Sequence, residues 1–153
     1  MNYFLDTNLV LIYLRDNEIA RQIEDDVQLL QSDNNLLISV VTLGELKSIA
    51  KQNKWGKNKL KNLVSVLEEF LITDINTKEI VERYAEIDAY SQGKLLEVPT
   101  SFSSKNMGKN DLWIAATASV YDIQLLTTDK DFDHLKEKYL PKLHYIDLEK
   151  YKL

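Results

Sequence analysis

Four carboxylates fall where strands end and helices begin: Asp6, Glu45, Asp111 and Asp129. Asp6 closes the apolar run Tyr3-Phe4-Leu5, and the helical pattern Leu9-Val10-Leu11-Ile12-Tyr13-Leu14 follows at once. Asp129 ends a second apolar run, Gln124-Leu125-Leu126-Thr127-Thr128. Glu45 and Asp111 stand in the first turns of two expected helices. If the fold gathers these acids, they repel. Two unit charges ~4 Å apart at an effective dielectric of ~20 oppose each other by about 4 kcal/mol. Such a cluster calls for protons or cations. The chain has no cysteine and no histidine at these positions. An all-oxygen donor set suits a hard cation, Mg²⁺ or Mn²⁺. Carboxylate-held metals activate water and stabilise charge on a leaving oxygen, so the chemistry indicated is phosphoryl transfer or hydrolysis.

Each acid also has a plainer duty open to it. Acids at helix starts complement the helix dipole. Thr42 followed three residues later by Glu45 is a capping-box pattern, which would account for Glu45 alone. Asp111 would serve the dipole of its own helix, and Asp129 and Asp131 a turn and a helix start. Asp6, directly after a buried strand, is the hardest to explain this way. The joint placement of all four is the stronger argument.

The elements that must position them alternate. Strands are expected over residues 2–6, 36–41, 71–75 and 124–128, with a possible edge strand at 144–147. Helices are expected over 7–14 (stopping near Asp16 and Asn17), 18–30, 42–53, 58–70 and 76–92, from about Asn110, and over 131–139. This alternation gives an α/β domain, three layers deep, with a mostly parallel central sheet of four to five strands. Right-handed crossovers place helices on both faces, and ligands bind at the carboxyl ends of the strands. Residues 93–109, with Pro99 and Thr100-Ser101-Phe102-Ser103-Ser104, are the least regular stretch, and a loop this long in a compact domain is functional or mobile.

At 153 residues, 44% apolar and 28% charged, the chain is expected to be one domain, 1–153, with a real core. It has neither an apolar run long enough to span a bilayer nor a signal-peptide pattern, so no membrane contact and a cytoplasmic location are expected. The net charge of −5 argues against a nucleic-acid partner. Its distribution argues the other way. Residues 46–67 hold no Asp or Glu and six lysines, Lys47, Lys51, Lys54, Lys57, Lys59 and Lys61. This is either a solvated helix pair or a phosphate-facing patch.

The segments Leu5-Asp6-Thr7-Asn8, Thr42-Leu43-Gly44-Glu45-Leu46, Asn110-Asp111-Leu112-Trp113-Ile114-Ala115-Ala116-Thr117-Ala118 and Leu126-Thr127-Thr128-Asp129-Lys130-Asp131-Phe132 resemble the successive motifs of a PIN domain. More narrowly, the chain is similar to VapC-type ribonuclease toxins of type II toxin–antitoxin pairs. The resemblance covers nearly the whole chain. It implies a Mg²⁺- or Mn²⁺-dependent endoribonuclease using metal-activated water in in-line attack on an RNA phosphodiester. By motif position Asp6 and Asp111 would be direct metal ligands, and Glu45 and Asp129 would complete the site directly or through water. Asn8 and Thr128 would hydrogen-bond the carboxylates or the scissile phosphate, or else serve as cap and turn residues. Lys51 and Lys54 are the lysines expected to contact RNA. The resemblance also implies structured RNA such as transfer RNA as substrate, a homodimer, and an antitoxin that covers or enters the acidic groove.

Two rivals stand beside this reading. An aspartyl-phosphate phosphatase needs a second Asp two residues after the nucleophile, and Asn8 occupies that place. A catalytically inactive PIN-like RNA- or protein-binding module would keep the shape without the reaction. His134 and His144 follow the last motif and are expected on the surface or in packing, not as general bases. Trp55 and Trp113 could stack on a base, with packing the better assignment.

Overall fold

The computed structural model describes residues 1–15 and 17–151. The expected stop of the first helix at Asp16 lies outside them. Five strands, β1 (Asn2–Leu5), β2 (Asn35–Ser39), β3 (Phe70–Thr73), β4 (Gln124–Thr127) and β5 (His144–Tyr145), form one all-parallel sheet in the order β3-β2-β1-β4-β5. Among the described residues six α-helices lie between them: α1 (Thr7–Arg15), α2 (Glu18–Val27), α3 (Val40–Gln52), α4 (Lys57–Leu67), α5 (Lys78–Ser91) and α6 (Lys109–Tyr121). The turn at Lys130–Leu135 is 3-10 helix, tighter than expected. Among the described residues, no helix is long and apolar enough to cross a membrane.

Side chains alternate across the sheet as a strand requires. Phe4 and Leu125 bury against α5, α6 and the 3-10 turn, with Ile87, Leu112, Ala115 and Phe132. Leu5 and Leu126 bury on the other face against α1 to α4, with Leu9, Ile23, Leu46 and Leu63. The strand order reverses direction between β1 and β4. That is the topological switch point, where an open α/β sheet splays its loops apart and leaves a crevice.

Several expected boundaries move, three of them for a clear local reason. Helix α3 begins at Val40, not Thr42. Ser39 ends β2 and caps the helix, its Oγ accepting from the Val41 N–H at 3.0 Å. The expected capping box at Thr42 and Glu45 is therefore not formed, and both side chains are free for tertiary contacts. Helix α2 stops at Val27 rather than residue 30. Gln28 adopts the left-handed conformation (φ 56°), and the Glu24 carboxylate accepts the N–H groups of Leu29 (3.0 Å) and Leu30 (2.9 Å), which ends the helix. Helix α4 ends at Leu67, because Phe70 pairs with Leu36 as the first residue of β3.

Candidate active site

Asp6 follows β1 directly and is buried. The parallel register pairs Leu5 with Leu126, so the next residue of each strand, Asp6 and Thr127, also stand side by side. The Thr127 hydroxyl donates to Asp6 Oδ2 in a short hydrogen bond. The Leu9 N–H donates to Asp6 Oδ1 at 3.1 Å. Thr127 also accepts the Asp129 N–H at 3.0 Å, tying the two strand ends together. Each Asp6 oxygen keeps a further lone pair. Glu45, in the second turn of α3, is held by the Thr7 hydroxyl at 2.7 Å from Oε1, and that hydroxyl lies 3.1 Å from the buried Thr42 hydroxyl.

The carboxylates of Asp111, Asp129 and Asp131 converge, each placing one oxygen within 4.8 Å of the other two. Asp111 stands in the first turn of α6, after the N-cap Gly108. Asp129 caps the 3-10 turn, accepting the Asp131 N–H at 2.8 Å. Asp6 and Glu45 are outside this group of three but within its electrostatic reach.

Burial pushes the Asp6 carboxyl up from 3.8 to about 6, against the opposing Thr127 and Leu9 hydrogen bonds, and the charges of Asp129 and Glu45 add to the rise. Asp111 also rises to about 6, through burial first and then the charges of Asp129, Asp6, Glu45 and Asp131. A helix N-terminus lowers a carboxyl pKa, so at Asp111 desolvation and like charge outweigh the dipole. Three or more carboxylate oxygens, with no nitrogen or sulfur donor among them, fit a hard divalent cation.

A groove of about 490 Å³ runs along α3, lined by Val41, Gly44, Glu45, Ser48, Gln52 and Asn110, the residue before Asp111. Lys51 and Lys54 are exposed at the end of α3 and just beyond it. Of the residues expected to contact the acids, Asn8 is exposed and Thr128 half-buried, and among the described hydrogen bonds neither reaches a carboxylate. Thr127 and Thr7 do so instead. Asp131, expected only to serve a turn and a helix start, joins the cluster. His134 is half-buried against Ser91 and Phe102, and Trp113 packs on Tyr84 with ring centroids 4.2 Å apart, so both serve packing. Trp55 packs against the core beneath α3 and α4.

A five-stranded parallel α/β domain that gathers acids at its switch point presents an all-oxygen donor set at the edge where such sheets bind ligands. The chain belongs to the PIN domain family, whose model matches residues 3–138. That family is one of nucleases, which makes hydrolysis the kind of reaction. Among solved structures, the chain is similar to VapBC2 from Rickettsia felis bound to a DNA fragment from its promoter (TM-score 0.75, 23% identity, 96% of this chain and 100% of that one). It is also similar to VapBC-1 from nontypeable Haemophilus influenzae (TM-score 0.60, 25% identity, 97% and 99% covered). A third is FitAcB from Neisseria gonorrhoeae (TM-score 0.60, 25% identity, 86% and 91% covered). The likeness to VapC-type toxin structures thus spans the chain. Comparison with curated proteins finds no match.

Proposed function

We propose that this protein is a Mg²⁺- or Mn²⁺-dependent endoribonuclease of the toxin type, acting on structured RNA. The observation that carries the reading is the carboxylate cluster of Asp111, Asp129 and Asp131 beside buried Asp6. Asp111, Asp129 and Asp131 would hold the cation, with Asp6 and Glu45 completing its surroundings directly or through water. A bound cation supplies a Lewis acid that lowers the pKa of water and stabilises negative charge on phosphate oxygens. The chain's own residues do the rest. Thr127 and the Leu9 N–H fix the Asp6 carboxylate. Thr7 fixes Glu45 at the wall of the α3 groove. The groove offers a path for the RNA backbone, with Asn8, Thr128, Lys51 and Lys54 as its outer contacts. A cytoplasmic location is where such a substrate is met.

In this reading the protein pairs as a homodimer and is restrained by an antitoxin. Two of the similar structures are VapBC assemblies. Leu60 and Val64 on α4, and Leu71 and Ile72 on β3, are exposed apolar residues available to partners. The test is cleavage of a mixed structured-RNA pool by purified protein, with and without Mg²⁺ or Mn²⁺, beside Asp111→Asn and Asp129→Asn. Discrete cuts that need metal and vanish in both variants support the reading. Absence of cuts by a folded, antitoxin-free protein favours the inactive binding module.

A further inference from the structure

Behind the cation pocket, on the core side of the 3-10 turn, lies a second polar node. Ser91, the last residue of α5, is fully buried. Its Oγ lies 2.7 Å from His134 Nε2 and 3.4 Å from Met107 Sδ. Its carbonyl accepts the Lys105 N–H at 2.7 Å. The Phe102 ring meets the His134 ring edge-on, centroids 5.0 Å apart. The irregular 94–108 segment is therefore fastened at three points, Phe102, Lys105 and Met107, to one Ser–His pair. That segment leads directly into Asp111, and His134 lies in the turn that Asp129 caps and that carries Asp131.

The Ser91–His134 hydrogen bond forms in either neutral tautomer of the ring. Burial first, and then the Lys105 ammonium, lower the His134 pKa, outweighing the Asp131 backbone hydrogen bond and the Asp131 and Asp133 charges, so the neutral ring is favoured.

We propose that Ser91 and His134 are positioning residues for the cation pocket: their hydrogen bond locks the 94–108 segment to the Lys130–Leu135 turn and thereby sets the spacing between Asp111 and the Asp129–Asp131 pair. This rests on the nuclease reading, because it assigns the pair a role in cation affinity. It touches neither the cation nor the RNA. Outer partners of metal ligands typically govern about 10–100-fold of affinity, and one acting through a turn belongs at the lower end.

The test is titration of the full-length protein with Tb³⁺, read by luminescence, with wild type, His134→Phe, Ser91→Ala, His134→Gln and Asp111→Asn. His134→Phe keeps a ring against Phe102 but removes the nitrogen that bonds Ser91, while the amide of Gln restores a hydrogen-bonding group. The expected result is about tenfold weaker Tb³⁺ binding in His134→Phe and Ser91→Ala, recovery in His134→Gln, and faster hydrogen exchange at the Lys105 amide in the first two. A purely structural role predicts lower melting temperatures with unchanged Tb³⁺ affinity, and that result overturns the proposal. If His134→Phe does not fold, Ser91→Ala decides alone. Loss of Tb³⁺ binding in Asp111→Asn with wild-type binding in the His134 and Ser91 variants sinks only this proposal. Retention of binding in Asp111→Asn sinks the cation pocket itself.

Discussion

Replacing Asp6 by Asn should stabilise the cation-free protein near neutral pH while removing its activity. Asp6 is buried at the end of β1, where its pKa rises from 3.8 to about 6. The folded state holds the proton more tightly than the unfolded chain. The stabilising contribution of the carboxyl is thus complete below its unfolded pKa and is lost as pH rises through about 6. That rise corresponds to about 3 kcal/mol. Asn keeps an oxygen for the Leu9 N–H, but its amide group cannot accept from Thr127. The rise is already net of the Thr127 bond to the ionised carboxylate, so the loss still to be subtracted is that of an ordinary neutral hydrogen bond, about 1 kcal/mol. The net expectation is a variant about 2 kcal/mol more stable than wild type at about pH 7.5, or about 4–8 °C in melting temperature. At about pH 4.5 the wild-type carboxyl is largely protonated and the advantage disappears or reverses. The assay is thermal unfolding in EDTA at both pH values, repeated with saturating Mg²⁺, which should stabilise wild type more than Asp6→Asn. A variant less stable than wild type at the higher pH, or an equal difference at both, would refute the argument that burial and like charge strain this site.

Other outcomes follow from the same geometry. Mn²⁺ affinity should be nearly constant above about pH 7 and fall through about pH 6, as Asp6 and Asp111 take up protons in competition with the cation; a flat titration would contradict this. Thr127→Val strands Asp6 Oδ2 and the Asp129 N–H together, so it should cost about 1–3 kcal/mol of stability and lower cleavage, with Thr127→Ser restoring both. Charge reversal at Lys51 and Lys54 should weaken RNA binding and flatten its salt dependence; an unchanged slope would remove these lysines from the interface.

Much of this arrangement was legible in the chain because it depends on local pattern. Apolar runs ending on Asp6 and Asp129 mark strand ends. The helical spacing after each run gives the parallel α/β plan, and the small residues of α6 pack on the sheet. What stayed hidden depends on which strands are neighbours. Thr127 and Thr128 are equivalent in sequence, and only the β1–β4 register, Leu5 beside Leu126, assigns Thr127 to Asp6. Asp131 reaches the cluster where Asp129 caps a turn that winds as 3-10 helix, tighter than the ordinary helix the pattern suggests. Thr42 fitted a capping box on paper, yet Ser39 one strand-end earlier had already satisfied the helix start. The role of Glu24 in ending α2 likewise comes from a side chain folding back on its own helix, which periodicity does not encode.

The most direct test of the central claim is anomalous diffraction from crystals soaked in Mn²⁺. The account predicts one strong peak within bonding distance of carboxylate oxygens of Asp111, Asp129 and Asp131, absent in Asp111→Asn crystals. A well-occupied peak elsewhere, or an empty acidic cluster in crystals that cleave RNA in the same Mn²⁺ solution, would contradict it.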